Sequence, residues 1–223
     1  MKNATSNNPT IIAEVGVNHN GDFDLGRKLI DVAVECGADI VKFQTFVANR
    51  LATEHAPQAS YQKQNLGVDQ NQIDMLAKLE LTHKMHVGLL EHCRLRNIEF
   101  LSTAFDAVSL DYLVDLGIKR IKVPSGELTN LPYLKDVASK GLPVILSTGM
   151  ADLDEVRDSV AILIAEGVAR CELTILHCTS NYPAQPSELN MSAVRTLYKE
   201  FGCDVGYSDH SSGCEAALLA VAL

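Results

Sequence analysis

The sequence lacks tryptophan altogether and contains little aromatic or basic character. Aromatic residues make up 5% of its 223 residues, and 19 lysines and arginines face 28 aspartates and glutamates, a formal net charge of −9. A non-specific nucleic-acid-binding surface needs a basic face, so this balance argues against that class of partner. An anionic small molecule remains compatible with it, because a few local lysines can outweigh a distant acidic surface.

Long apolar runs are also missing, and we expect no secretory leader. The first apolar stretch, 11–13, is short and is followed directly by Glu14. No apolar run approaches the roughly 20 residues that a membrane-spanning helix needs. We therefore expect a protein of the cytoplasm that has no membrane partner.

The cysteines are scattered and form no Cys-x-x-Cys pair. They are Cys36, Cys93, Cys171, Cys178, Cys203 and Cys214. Disulfide scaffolds belong to short secreted chains, so this distribution favours free, buried thiols in a reducing compartment.

What the sequence does contain is a short apolar run followed by an amphipathic helical pattern, repeated along the chain. The predicted strands are Ile11–Val15, Ile40–Phe43, Phe100–Ser102, Arg120–Val123, Val144–Ser147, Leu173–His177 and Val205–Ser208. Runs of this kind are typical of parallel strands that are covered on both faces. Between them apolar residues recur at spacings of three and four, as at Leu25, Leu29 and Val32. The alternation predicts an α/β protein with a parallel sheet.

An open doubly wound sheet and a closed eight-stranded barrel both fit this alternation. Polar side chains decide between them, because they stand at or just after the C-terminal end of every predicted strand. They include Glu14, Lys42, Gln44, Ser102, Thr103, Lys122, Ser125, Ser147, His177, Thr179, Ser208, Asp209 and His210. A barrel gathers all these ends around one mouth, whereas an open sheet uses only those near its switch point. The pattern favours a TIM (β/α)8-type barrel, incomplete, with about seven βα units present.

Two lysines, Lys42 and Lys122, lie within apolar strands, where an unmatched charge is costly. Either they face the mouth and bind an anion, or they pair with carboxylates such as Glu14 and Glu127. Short hydroxyl side chains stand at neighbouring strand ends: Thr103, Ser125, Ser147 and Ser208. Taken singly each could be a turn or cap residue, but with two ammonium groups they form a credible cradle for a phosphate and a carboxylate.

Three histidines and two glycines have less specific patterns. His19, His177 and His210 each follow or end a strand, but a lone histidine indicates no metal by itself. Gly126 and Gly149 follow strand ends, where close backbone approach or a positive φ is useful.

The longest connection runs from Phe46 to about Glu80. A connection of this length is usually functional or has structure of its own. It could be a lid, an oligomer contact, or a surface excursion that contains a helix near Gln72–Leu79.

Seven segments, in this order, resemble the sialic acid synthase family, which includes bacterial N-acetylneuraminate and legionaminate synthases. They are Ile11–Asp22, Val41–Thr45, Phe100–Asp106, Lys122–Glu127, Leu146–Met150, Leu176–Pro183 and Gly206–His210. The resemblance implies a TIM barrel that condenses phosphoenolpyruvate with N-acetylmannosamine or a related N-acylated amino sugar, giving a sialic (nonulosonic) acid and phosphate. It also implies a divalent metal, Mn²⁺ or Mg²⁺, and a homodimer of the full-length parent.

The resemblance also assigns roles to individual residues. The phosphoenolpyruvate site would comprise Lys42, Thr103, Lys122, Ser125, Ser147 and Ser208. The sugar side would comprise Glu14, Gln44, Phe105 and Tyr182. Glu127 resembles an acid that handles water or a proton and would act in catalysis with the two lysines, and His210 resembles one of two metal-binding histidines. Ser180 stands where some members carry an asparagine that contacts phosphoenolpyruvate.

Family members continue past the position of Leu223 into an eighth strand, which carries a second metal-binding histidine, and a C-terminal antifreeze-like domain. We therefore expect residues 1–223 to be one catalytic barrel domain that lacks both. Two other functions stay open at this point: a Schiff-base aldolase that uses Lys42 or Lys122, and an inactive remnant that retains anion binding.

Overall fold

The computed structural model describes residues 8–53 and 71–223. It contains one sheet of seven parallel strands in the order β1-β2-β3-β4-β5-β6-β7. The strands are β1 Ile12–Gly16, β2 Ile40–Thr45, β3 Glu99–Ala104, β4 Ile121–Val123, β5 Val144–Ser147, β6 Leu173–Cys178 and β7 Asp204–Ser208. A doubly wound sheet reverses its strand order at a switch point. The unbroken chain order therefore confirms the incomplete barrel and excludes the open alternative.

Helices separate the strands. They are α1 Phe23–Glu35, α2 Ala48–Leu51, α3 Gln72–Ala77, α4 His83–Arg96, α5 Ala107–Leu116, α6 Leu131–Ser139, α7 Leu153–Ala165, α8 Ala193–Phe201 and α9 Glu215–Ala222. Six of these nine described helices start with a side-chain cap: at α7, the Asp152 side chain accepts the Glu155 N–H, and Glu155 reaches back to Asp152 in a capping box. No helix in the described ranges is long and apolar enough to cross a bilayer.

Each strand has one face toward the helices and one toward the barrel interior. On the helix side, Val41, Phe43 and Phe100 belong to the main hydrophobic core. Intervening strand positions form a separate apolar layer inside the barrel: Ile12, Ile40, Leu101, Ile145 and Leu176. Because strand side chains alternate with a period of two, this layer fixes which later residues also point inward.

The connection from Phe46 to Glu80 is partly described. Its predicted helix is confirmed as α3, which ends two residues earlier than expected. Phe46, Ala48, Met75 and Leu76 are buried together, and the Ala48 N–H donates to Glu80 Oε1 at 2.5 Å. Residues 54–70 lie outside the described residues, so the lid and oligomer-contact interpretations stay predictions.

All six cysteines are free, as expected. The expectation that they are buried is wrong for Cys36, Cys171 and Cys214, which are exposed. Cys36 and Cys214 cap helix ends and Cys171 lies in a short 3-10 turn, positions where a small side chain need not enter the core.

A buried polar network joins α4 to the helix-facing side of β2 and β3. Thr45 Oγ1 lies 2.8 Å from His86 Nε2 and 2.7 Å from Ser102 Oγ, and His86 Nδ1 lies 3.1 Å from the Thr82 carbonyl oxygen. His86 is only 2% exposed. Burial lowers its pKa from 6.5 to about 4, and the Thr82 hydrogen bond opposes this only in part. The network therefore holds a neutral imidazole.

We predict that His86 makes the protein less stable in mild acid. The unfolded chain binds a proton below about pH 6.5 while folded His86 does not until about pH 4, so stability is lost as pH falls across that window. The difference corresponds to about 3 kcal/mol of unfolding free energy. Urea unfolding at a series of pH values in this window gives the unfolding free energy as a function of pH. That free energy should depend less steeply on pH for His86→Gln than for the unsubstituted protein. The exposed control His83→Gln should keep the pH dependence of the unsubstituted protein. The same pH dependence in all three proteins would contradict the prediction.

Candidate active site

A layer of polar side chains lies directly above the apolar layer inside the barrel. In five strands it begins two residues after the apolar residue, at Glu14, Lys42, Thr103, Ser147 and Cys178. Lys122 of β4, paired with Thr103, and Ser208 of β7, paired with Cys178, complete it. We call these seven residues the polar layer. Six of the seven were predicted site residues, and the fold brings them to one mouth.

Lys42 is matched by a carboxylate. Its ammonium group forms an ion pair with Glu14, which is directly opposite on β1, and lies 3.4 Å from Thr103 Oγ1. The Glu14 side chain is 47% exposed. The pairing alternative considered for the lysines is thus correct for Lys42, and the ion pair stands at the open end of the layer.

Lys122 has a different environment. It is 6% exposed, and its Nζ donates to the Val123 carbonyl at 2.8 Å and to Ser147 Oγ at 2.7 Å. Among the described residues it forms no ion pair, so the alternative of pairing with Glu127 is wrong. Burial lowers the pKa of Lys122 to about 7; the nearby Lys42 charge adds to this, and Cys178 and Glu14 oppose it.

Ser125, Ser180 and Cys178 converge on Gly149. The Gly149 N–H donates to Ser125 Oγ at 3.0 Å. A Cβ atom at position 149 would lie 2.3 Å from Ser180 Oγ, 2.8 Å from Ser125 Oγ and 3.3 Å from Cys178 Sγ. The expected close approach is therefore confirmed at Gly149. It is wrong at Gly126, where a Cβ would meet nothing within 4 Å.

His210 lies beside Cys178, Ser208 and Tyr182. Its Nδ1 lies 2.6 Å from the Thr179 carbonyl oxygen, which places the proton on Nδ1 and leaves a lone pair on Nε2. Tyr182 stacks on the imidazole at 4.1 Å, and its hydroxyl lies 3.1 Å from Nε2. Ser208 Oγ is 3.5 Å from the same nitrogen.

Cys178 is the site residue that sequence reasoning missed. Its Sγ lies 3.8 Å from His210 Nδ1. Burial is the largest single effect and opposes ionisation of the thiol, but the hydrogen bond and charge of His210, with hydrogen bonds from Ser125 and Ser208, together lower the pKa of Cys178. Burial also disfavours a charged His210, yet the Cys178 contact leads the effects that raise its pKa. The period of two along a strand would have indicated it, since Cys178 follows Leu176 by two positions and so shares its inward direction.

The remaining predicted residues lie around this layer. Glu127 is half-buried in a short 3-10 turn, where Asn130 Nδ2 donates to its Oε2 at 2.6 Å. Gln44 is also half-buried, two residues beyond Lys42 on β2. Phe105 packs its ring at 6.2 Å, edge to face, against Phe46 at the margin of the small core under the long connection.

The other two candidate histidines, His19 and His177, lie outside the site. His177 Nε2 lies 2.6 Å from the Leu189 carbonyl, an ordinary hydrogen bond. His19 is fully buried; its Nδ1 accepts the Gly21 N–H at 3.0 Å, and its Nε2 lacks a partner within the described part of the chain. Burial lowers the pKa of His19. Neither imidazole belongs to the polar layer.

Comparison with known proteins extends this picture. A family model described as the NeuB family matches residues 29–223. The chain belongs to the NeuB family. An N,N'-diacetyllegionaminic acid synthase of Campylobacter jejuni is 49% identical over 213 residues, 96% of this chain and 64% of that protein. A protein of the same name from Legionella pneumophila is 50% identical over 216 residues, 96% of this chain and 60% of that protein.

A solved relative supports both family and fold. The N-acetylneuraminic acid synthetase of Leptospira borgpetersenii, in complex with citrate, superposes with a TM-score of 0.86 at 34% identity. The match covers 97% of this chain and 70% of that one. Against the two curated legionaminic acid synthases, the chain spans about 60% of their length.

We predict that Gly149→Ala destabilises the protein while Gly126→Ala does not. The added methyl group at 149 must displace Ser180 and Ser125, whereas at 126 it enters open space. Forced overpacking of this kind costs about 1–3 kcal/mol. Thermal unfolding of the two variants measures the difference, and equal melting temperatures would contradict the described packing around Gly149.

Proposed function

We propose that the protein condenses phosphoenolpyruvate with an N-acylated amino sugar, yielding a nonulosonic acid and inorganic phosphate. The observation that carries the proposal is the polar layer, in which two lysines and several hydroxyl groups line one barrel mouth. Its support comes from the family and from relatives named for the synthesis of such acids.

The polar layer suits a small polyanion. Lys42 and Lys122 supply cationic donors, and Ser147 and Thr103 already contact their ammonium groups. Ser125 and Ser208 add hydroxyl donors nearby. In this role the layer binds the phosphate and carboxylate of phosphoenolpyruvate and holds the alkene in one orientation, which lowers the entropic cost of reaction. The solved relative's citrate is also a small polyanion.

The sugar side lies toward the open end of the mouth. Glu14 is half-exposed there, and Gln44 and Tyr182 lie at the rim. Phe105 packs against Phe46 and would form the apolar margin. Since relatives near 50% identity are named for N,N'-diacetyllegionaminic acid, we assign a diacetamido sugar as the preferred acceptor over N-acetylmannosamine.

The reaction joins two carbon atoms and releases phosphate. C3 of phosphoenolpyruvate attacks the aldehyde carbon of the open-chain sugar, and the aldehyde oxygen gains a proton. Positive charge develops at C2, where water adds and loses a proton. The resulting intermediate expels phosphate by cleavage of its C2–O bond. Glu127, oriented by Asn130, is the proposed acceptor of the water proton.

A divalent cation is part of this proposal. His210 fits as one ligand, because the Thr179 carbonyl holds its proton on Nδ1 and leaves Nε2 able to coordinate. When bound there, Mn²⁺ or Mg²⁺ would act as a Lewis acid on the sugar carbonyl. Within the described residues no group of three or more His, Cys, Asp or Glu side chains forms a complete site. The homodimer stays a prediction as well.

We predict that Lys122→Met lowers phosphate release at least about 100-fold, because it removes a buried donor to the anion. The assay supplies phosphoenolpyruvate, Mn²⁺ and either N-acetylmannosamine or the diacetamido sugar, with faster turnover expected for the latter. Lys119→Met, an exposed change just before the same strand, is the matched control. If the unsubstituted protein releases no phosphate with either sugar, the inactive-remnant alternative is supported.

The aldolase alternative gains one observation, the lowered pKa of Lys122, since a neutral amine can form a Schiff base. Borohydride with pyruvate separates the two reactions. A covalent adduct on Lys122 would favour the aldolase and contradict the synthase.

We predict that His210→Gln weakens Mn²⁺ binding by about tenfold or more, because it removes a ligand nitrogen. The electron paramagnetic resonance signal of free Mn²⁺ measures this directly, without turnover. His177→Gln is the control, since His177 bonds a backbone carbonyl outside the polar layer. Equal Mn²⁺ binding by the His210 variant and the parent would exclude His210 as a ligand.

A further inference from the structure

Of the two lysines in the polar layer, one has a carboxylate partner and the other does not. Lys42 has the Glu14 carboxylate as its ion-pair partner. Lys122 has neutral oxygen partners, the Val123 carbonyl and the Ser147 hydroxyl. One carboxylate thus serves the more exposed lysine, while the buried lysine is left without a counter-ion among the described residues.

A protonated Lys122 is therefore costly in the anion-free site. A buried ammonium group loses its hydration, and two neutral acceptors replace it only in part. Lys42, across the barrel interior, adds repulsion. The pKa of Lys122 agrees with this direction: burial is the largest effect that lowers it, followed by Lys42.

The groups facing Lys122 come from several strands. Glu14 of β1 and Cys178 of β6 favour its protonated form, and Lys42 of β2 disfavours it. Thr103 of β3 and Ser147 of β5 are neutral hydroxyl groups. Since Glu14 is engaged by Lys42, an entering anion would be the strongest new source of negative charge.

We infer that Lys122 takes up a proton when an anionic donor enters the mouth, so that anion binding and protonation of this amine are coupled. The inference rests on the proposed function and deepens it. The second positive charge of the phosphoenolpyruvate site, on Lys122, then forms only when the anion is bound. Linkage requires the converse as well: protonation of Lys122 must strengthen anion binding.

The sign of the pH dependence follows. The bound anion raises the pKa of Lys122 above its value of about 7 in the free site. Below that pH the amine is already charged and little proton is taken up. Above it nearly one proton enters per anion, and affinity falls by about tenfold for each further pH unit until the raised pKa is reached.

The experiment observes Lys122 directly. Protein labelled with ¹³C at the lysine ε carbon is titrated between about pH 5.5 and 10.5, a range that spans the ordinary lysine pKa. The ε resonance of Lys122 is assigned by its loss in Lys122→Met. Sulfate is the first probe, because it stays a dianion throughout this range, and phosphoenolpyruvate is the second. Calorimetry in buffers of different ionisation enthalpy counts the protons taken up on binding.

We expect the resonance to titrate near pH 7 without an anion and at least one pH unit higher with either probe. Two variants should shift the anion-free midpoint in opposite directions. Lys42→Met removes a like charge and frees Glu14, so the midpoint rises. Ser147→Ala removes an acceptor of the ammonium group, so it falls. Lys119→Met should leave it unchanged.

The inference is overturned by a midpoint near 10 in the free protein, or by an anion that binds above pH 7 without proton uptake. Phosphate release from phosphoenolpyruvate and the sugar under those conditions would leave the proposed function standing. Conversely, proton uptake with sulfate but no condensation with either sugar would remove the proposed function and keep the coupling. A protein that binds neither probe would overturn the coupling.

Discussion

The structure depends on the alternation of side chains along parallel strands that follow one another in chain order. Each strand gives its helix-facing positions to the main core and its other positions to the barrel interior. Ile40 and Leu101 lie in the interior apolar layer, and two residues later Lys42 and Thr103 begin the polar layer. An apolar floor with polar groups above it results from the period of two, and it places the chemistry at the C-terminal ends of the strands.

Electrostatics differ sharply between the two sides of the sheet. On the helix side, the His86 network satisfies its polar groups with neutral hydrogen bonds and contains no net charge. On the interior side, Lys122 is buried without a counter-ion in the described residues. Such an arrangement reduces stability, and it is tolerated where a ligand supplies the missing charge.

Family membership and site geometry answer different questions. The NeuB match establishes the family, and the relatives' names define the reaction that we propose. The geometry adds what the names do not contain: the asymmetry between Lys42 and Lys122, the lone pair on His210 Nε2, and the close packing around Gly149.

The sequence by itself determined the parallel α/β architecture and most of the polar layer. Strand periodicity is local, and polar residues at strand ends can be read without knowing their neighbours. It left open whether Lys42 and Lys122 bind an anion or pair with carboxylates such as Glu14 and Glu127. The inward direction of Cys178 could have been read from Leu176 by the same rule.

Only the tertiary structure decided which partners meet. Glu127 accepts a hydrogen bond from Asn130 and does not pair with Lys122. Gly149 is closely packed by neighbouring side chains, whereas Gly126 is not. Three cysteines expected inside are exposed. These outcomes depend on distances between strands and loops far apart in the chain, which local patterns do not encode. The burial that lowers the pKa of Lys122 likewise arises only when several strands enclose one amine.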